Sequence, residues 1–164
     1  MKKRILFLDN KNSIRSQLAE AMVNKYWGDK FQAVSAGLHP RPVHPMTLRC
    51  LAELDIDHRN AKSKHVDIYA GIYFDYVFSL CDEAKESCPW YFDGETIVKF
   101  DLPDPSLITG TVQDQIGAFR KVRDELWRQL QDYFFEDVLE KTAHELVSGA
   151  ASKPMEGEPH KAGY

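Results

Sequence analysis

Three groups of residues in this chain could do chemistry. Asp9 and Arg15 bracket the polar stretch Asn10-Lys11-Asn12-Ser13-Ile14, and Ser16 follows. The stretch lies between an apolar run and a segment of helical period. Successive backbone N–H groups there form a nest, and the start of the helix adds partial positive charge, so the stretch is a ready anion site. Arg15 can supply a bidentate fork for a tetrahedral oxyanion, or stand as a surface residue of the helix's first turn. Ser16 can bond to the Asp9 carboxylate, cap the helix, or do both. The second group is Cys81 and Cys88, separated by six residues. The third is the carboxylate of Asp104-Pro105, which by itself reads as a turn residue before proline. Cys50 falls on a helix-period segment and reads as a small buried hydrophobe.

The surrounding pattern supplies elements to position these residues. Ile5-Leu6-Phe7-Leu8 reads as a buried strand, and Leu18, Ala19, Ala21, Met22, Val23 and Tyr26 recur at helical spacing, giving a helix over about 16–27. A strand fits 31–35, ending at Ala36-Gly37, and Pro45 suits the first turn of a helix running to about 54. A short helix fits 65–70, strands fit 76–80 and 96–100, and a helical stripe of Ile116, Phe119, Val122, Leu126, Leu130 and Tyr133 lies within about 111–146. Strands alternating with helices imply a parallel sheet covered on both faces. Ligands bind such sheets at the carboxyl ends of the strands, near a topological switch point. The loops after Leu8, Leu80 and Phe100 share that edge.

Composition bounds the rest. The 164 residues predict one domain, taken as 1–147, with a flexible tail over 148–164 rich in Gly, Ala, Pro, Lys and Glu. Lys and Arg number 21 against 25 Asp and Glu, a net charge of −4, which argues against a nucleic-acid partner. Apolar residues at 43% suffice for a core. The apolar run at 5–8 falls far short of the roughly 20 residues that span a bilayer, and of an export signal's core. No membrane association is expected, and with three cysteines, which cannot close a disulfide set, the expectation is a cytoplasmic protein with reduced thiols.

The wording of the first loop is more specific than its spacing. Asn12-Ser13-Ile14-Arg15-Ser16-Gln17-Leu18-Ala19-Glu20-Ala21 resembles the phosphate loop and first helix of the low-molecular-weight tyrosine phosphatases, and most strongly of their relatives, the thioredoxin-coupled arsenate reductases. The resemblance continues through Ser35-Ala36-Gly37, Val43-His44-Pro45, Leu54-Asp55-Ile56-Asp57, the segment from Cys81 to Pro89, Asp104-Pro105, and Ala118-Phe119-Arg120-Lys121-Val122-Arg123-Asp124-Glu125, covering about residues 4–133. It implies a three-layer α/β fold with a central four-stranded parallel sheet flanked by helices. It also implies a loop, Asn10 to Ser16 with Arg15, that binds phosphate, arsenate or sulfate.

In that family the loop opens with cysteine, Cys-x5-Arg, whose thiolate attacks phosphorus or arsenic; here the position is Asp9. A carboxylate forms none of the sulfur bonds a thiolate does, although it can attack phosphorus as aspartyl-phosphate enzymes do. Haloacid-dehalogenase-type phosphatases also place Asp after a strand, but they want a second Asp two residues on, where this chain has Lys11. Cys81 and Cys88 match the pair that passes a disulfide to thioredoxin, and Asp104 matches the general acid. Asn12, Glu20 and Ser35 match three ligands of a potassium ion held by some arsenate reductases. The fourth position is Lys64, whose ammonium could pair with Glu20, so no structural potassium, no other metal and no cofactor is expected.

The expected function is therefore that of an arsenate-reductase-like or phosphatase-like protein that keeps its oxyanion loop but is impaired in catalysis. The alternative is an active enzyme working through Asp9 or through the Cys81/Cys88 dithiol. Thioredoxin is a candidate partner. Phe134, Phe135, Val138 and Leu139, beyond Tyr133, either form a homodimer surface or pack on the core.

Overall fold

The computed structural model describes residues 1–82 and 94–150, with side chains there except at 95 and 136–150. Four strands, β1 (Lys3–Asp9), β2 (Phe31–Gly37), β3 (Phe74–Cys81) and β4 (Gly94–Asp101), form one sheet in the order β2-β1-β3-β4. Every pairing is parallel. Ile5, Leu6, Phe7 and Leu8 of β1 are all buried, so β1 reads as a continuous apolar run rather than an alternating one, as a central strand covered on both faces must. The chain steps from β1 to β2 on one side and to β3 on the other. The end of β1 is therefore the switch point, and the segment after Asp9 emerges there.

Helix α1 (Arg15–Tyr26) connects β1 to β2 and buries Leu18, Ala19, Ala21, Met22 and Val23. Its first turn also buries Arg15, Ser16 and Gln17, polar side chains that bury only when their hydrogen bonds are met. Helix α2 (Pro45–Ala52) starts with proline, and His44 caps it, its Nδ1 accepting the Met46 N–H at 3.1 Å. The helix stops short of residue 54 because Asp55 takes a positive φ of 58°, and the Ile56 N–H bonds back to the Leu51 carbonyl at 3.0 Å. Thr111 and Asp114 form a reciprocal cap at the start of helix α3 (Val112–Ala150): the Thr111 N–H donates to Asp114 Oδ2 at 2.9 Å, and the Asp114 N–H to Thr111 Oγ1 at 3.1 Å.

On one side of the sheet Leu6, Leu8, Ala36, Val66, Phe74 and Val77 cluster with the 3₁₀ turn Val66–Tyr69. Across the strands the Phe78 ring stands 5.3 Å from Phe7 and 5.1 Å from Phe100. Ile116, Phe119, Val122 and Leu126 of α3 are buried, as their spacing predicts. Strands, loop and these helical turns belong to one compact unit, Met1–Gln129. Leu130–Tyr164 form a second, in which the Tyr133 and Phe134 rings lie 5.0 Å apart and Phe135 is exposed. Among the described residues no helix is long and apolar enough to cross a membrane.

Candidate functional site

The segment from Asp9 to Ser16 is held from outside by its own carbonyls. Those of Asn10, Lys11 and Ser13 accept the N–H groups of His39 at 2.7 Å, Arg41 at 2.9 Å and His44 at 3.1 Å. The Asn12 carbonyl accepts the Ser63 hydroxyl at 2.7 Å, and that of Ser13 also takes the Thr47 hydroxyl at 3.0 Å. A peptide is planar and trans, so each carbonyl turned outward turns the following N–H the other way. The result is a run of donors facing inward. Gly37 makes this approach possible: a Cβ there would stand 2.7 Å from the Asn12 nitrogen and 3.0 Å from the Asn10 oxygen.

Asn12 is the strut of the loop. It is fully buried at a left-handed φ of 49°, which asparagine tolerates. Its Nδ2 donates to Ser16 Oγ and Ser35 Oγ, both at 2.9 Å. Its Oδ1 accepts from Gln17 Nε2 at 3.0 Å and from the Lys64 N–H at 2.8 Å. All of its side-chain polar capacity is thus spent on four residues from three parts of the chain: α1, β2 and the segment at Lys64.

Asp9 points into the loop. Its Oδ1 accepts the Asn12 N–H at 2.6 Å and its Oδ2 the Ser16 N–H at 2.9 Å, with the residue 2% exposed. Burial pushes the carboxyl above its ordinary value; the Ser16 N–H, the Arg15 charge, the Ser16 hydroxyl and the Asn12 N–H oppose it. Arg15 is itself buried, with Nη1 donating to the Leu102 carbonyl at 3.0 Å. The Leu102 N–H in turn donates to the Cys81 carbonyl at 2.9 Å, tying β3 and the end of β4 to the loop. The N–H groups of Lys11, Ser13 and Ile14 have no acceptor among the described residues. Lys11 is exposed and Asn10 half-buried, while Asn12 to Ser16 are buried.

Two other expected site residues, Cys81 and Asp104, lie at or just beyond the carboxyl ends of β3 and β4. Cys81 ends β3, buried and disulfide-bonded, which corrects the expectation of reduced thiols at this position. Cys88 lies outside the described residues. Cys50 is a free thiol buried on α2, raised in pKa chiefly by its burial. Asp104 caps a 3₁₀ turn (Pro105–Leu107), its Oδ1 accepting from the Ser106 N–H at 2.9 Å and the Ser106 hydroxyl at 2.6 Å. It opens on a cavity of about 720 Å3 bordered by Pro105, Ile108, Lys121 and Arg128. Burial lowers the His44 pKa, and the Asp104 charge raises it, which puts these two within electrostatic reach.

Behind the loop Lys64 Nζ stands 3.8 Å from Glu20 Oε1, and the Ser35 hydroxyl donates to Glu20 Oε2 at 3.3 Å. Burial raises the Glu20 pKa, opposed first by Lys64. His58 Nε2 lies 2.7 Å from Gln17 Oε1 and 4.0 Å from Glu20. An ammonium thus faces the carboxylate where a potassium ligand would be needed, and these residues do not fit that ion. Gln17, His58, Ser63 and Gly37 hold the loop but were given no role from sequence. The available signal was Gln17, a polar residue on the apolar face of a helix.

An inward-facing N–H run at the switch point of a four-stranded parallel sheet defines an α/β protein built around an anion-type loop. The chain belongs to the low-molecular-weight phosphotyrosine protein phosphatase family, whose pattern it matches over residues 4–145. It is 33% identical over 132 residues to an arsenate reductase of Halalkalibacterium halodurans, covering 80% of this chain and 95% of that one. Among solved structures it is similar to an arsenate reductase in the phosphate binding state, with a TM-score of 0.69, 25% identity, and coverage of 82% of this chain and 98% of that one. It is also similar to the thioredoxin-dependent arsenate reductase of Corynebacterium glutamicum, with a TM-score of 0.54, 27% identity, and coverage of 79% and 62%.

Proposed function

We propose that this protein is an arsenate-reductase-like member of the family that keeps the oxyanion loop but has lost its thiol nucleophile, with Asp9 at the loop cysteine's position. The observation that carries the reading is the Asp9 carboxylate, which takes the Asn12 and Ser16 N–H groups inside an otherwise complete loop. A thiolate there would be soft and strongly nucleophilic; a carboxylate cannot form the sulfur bonds that reduce arsenate. Catalysis is therefore impaired. The function left to the loop, Asn10 to Ser16 with Arg15, is binding of phosphate, arsenate or sulfate.

Titration calorimetry with phosphate, arsenate and sulfate tests the cradle directly. The expected result is weak binding, tightened when the Asp9 charge is removed; no heat at millimolar anion, in wild type and in Asp9→Ser alike, sinks the reading.

One observation favours a second reading. Cys81 is disulfide-bonded, so a dithiol couple of Cys81 with Cys88, reduced by thioredoxin in a reaction that yields two thiols on this chain and a disulfide on thioredoxin, is the enzymatic alternative. Asp104 would serve the enzymatic alternative as a proton donor. Loss of thioredoxin-coupled activity in Cys81→Ser supports this alternative, and unchanged activity removes it. A cytoplasmic location, a folded domain to residue 147 and a tail from 148 complete the proposal. Self-association through residues 134–139, where Phe135 is exposed, is decided by light scattering, a strict monomer counting against it.

A further inference from the structure

The loop is wrapped by two segments, and their charge is one-sided. Residues 10–17, 38–46 and 58–65 contain no Asp or Glu, in a chain whose net charge is −4. Hydrogen bonds join the three segments: His39 and Arg41 N–H to the Asn10 and Lys11 carbonyls, the Ser63 hydroxyl to the Asn12 and Arg41 carbonyls, and Gln17 Nε2 to the Lys62 carbonyl. Several of their cations are already matched. Arg59 is paired with Asp57 and Lys64 with Glu20, and the Asp9 carboxylate faces Arg15.

Lys11, Arg41 and Lys62 are not matched. All three are exposed, and none has a carboxylate partner among the described residues. Arg41 and Lys62 border one hollow of about 390 Å3, whose walls include Pro40, Pro42 and Ala61. Proline on each side of Arg41 fixes the backbone on which the guanidinium is carried. The Lys11 backbone adjoins the hollow, its carbonyl receiving the Arg41 N–H, and its side chain is exposed.

We propose that this rim is a second anion site, outside the loop, that takes a condensed phosphate chain. A lone phosphate meets one exposed cation at a time and gains little in water. A chain of phosphates meets Lys11, Arg41 and Lys62 together, with the Arg41 fork matched to a phosphate edge and the lysines acting as point charges. The basic surface is confined to three short segments, which suits a compact polyanion rather than a nucleic-acid backbone. The site does not depend on whether Asp9 admits an anion to the loop.

The test is titration calorimetry on the full chain with inorganic tripolyphosphate, orthophosphate, ATP and an oligoglutamate of matching charge. Tripolyphosphate is expected to bind at least about tenfold tighter than orthophosphate and to weaken with added salt. Arg41→Gln/Lys62→Gln is expected to lose about tenfold for tripolyphosphate while any orthophosphate binding is unchanged, and Lys62→Gln alone to lose part of it. ATP binding as tightly as tripolyphosphate supports the site with a nucleotide's tail as the source, and markedly weaker ATP binding supports it with the free chain. Equal affinity for the two inorganic phosphates, an unaffected double variant, or oligoglutamate binding as tightly as tripolyphosphate overturns it. Failure of the loop reading shows in orthophosphate alone; failure of this one shows in the ratio.

Discussion

The backbone N–H of Asn12 donates to Oδ1 of Asp9 at 2.6 Å, and Asp9 Oδ2 receives the Ser16 N–H at 2.9 Å. Two of the loop's inward N–H groups are thus taken by a side chain of the chain itself, and on the proposed reading these are donors that would otherwise meet a bound anion. Both carboxylate oxygens are hydrogen-bonded, but burial still raises the carboxyl pKa, so the charged form carries a desolvation cost within the fold. On the proposed reading, an incoming anion would also place a second negative charge beside the first, in a region shielded from water.

That relationship makes anion binding pH-dependent. Burial raises the Asp9 pKa above its ordinary 3.8, so the folded chain takes up a proton more readily than the unfolded one. Asp9's contribution to stability therefore falls as pH rises from about 3.8 through the raised value. Protonation also removes the charge that opposes an incoming anion. Sulfate, whose charge is constant over this range, is expected to bind more tightly as pH falls, by up to about tenfold per unit near the folded pKa. Burial lowers the pKa of His44 and of His58, and their protonation at low pH strengthens binding too. The comparison is therefore wild type against Asp9→Ser by calorimetry. Asp9→Ser should bind sulfate more tightly at pH 7.5 and show a shallower slope; parallel slopes contradict the assignment.

Asn12 is expected to be among the most sensitive positions for stability. Asn12→Ala removes four side-chain hydrogen bonds and leaves alanine at a φ of 49°. A loss of about 2–4 kcal/mol in denaturant unfolding is expected. Asn12→Gly relieves the backbone but not the hydrogen bonds, and should recover only part of it. Equal losses in the two variants would mean that the left-handed conformation contributes nothing.

Gly37→Ala separates loop position from loop chemistry. The added Cβ would stand 2.7 Å from the Asn12 nitrogen and 3.0 Å from backbone atoms of Asn10 and Lys11, none of which belongs to a flexible side chain. About 1–3 kcal/mol of destabilisation is expected, with sulfate affinity reduced as the donors shift. Wild-type affinity in this variant would show that the contact between β2 and the loop does not set the donor geometry.

Lys64 facing Glu20 at 3.8 Å predicts indifference to potassium. Exchanging potassium for sodium or choline should leave the thermal midpoint of wild type unchanged. Lys64→Asp removes the ammonium and adds a carboxylate beside Glu20, and should become measurably more stable in potassium than in choline. A potassium-dependent midpoint in wild type would contradict the pairing.

Much of this molecule was legible in the sequence, because its strongest signals are local. The run at 5–8 announced a buried strand, and the helical periods placed α1 and α3 within a few residues. The strands run longer than expected at their polar ends, since ladder pairing takes Lys3 and Asp9 into β1 regardless of hydropathy. The pairing of Lys64 with Glu20 followed from the resemblance. Partners supplied from far along the chain were not legible. Ser63 and Arg41 reach the loop from other segments, and Gln17 meets His58 across 41 positions. Nor could residue types say whether Asp9 turns into the loop or away from it, which depends on where the Asn12 and Ser16 N–H groups point. Cys88 and residues 151–164 lie outside the described residues.

Turnover by wild type and by Asp9→Cys, on arsenate with thioredoxin present and on an aryl phosphate, tests the central claim most directly. The account predicts a silent wild type and a variant that turns over at least one of the two substrates, because the carbonyl-anchored loop, Arg15 and Asp104 are in place and only the nucleophile has changed. Turnover by wild type, abolished in Asp9→Asn or in Cys81→Ser, would contradict it.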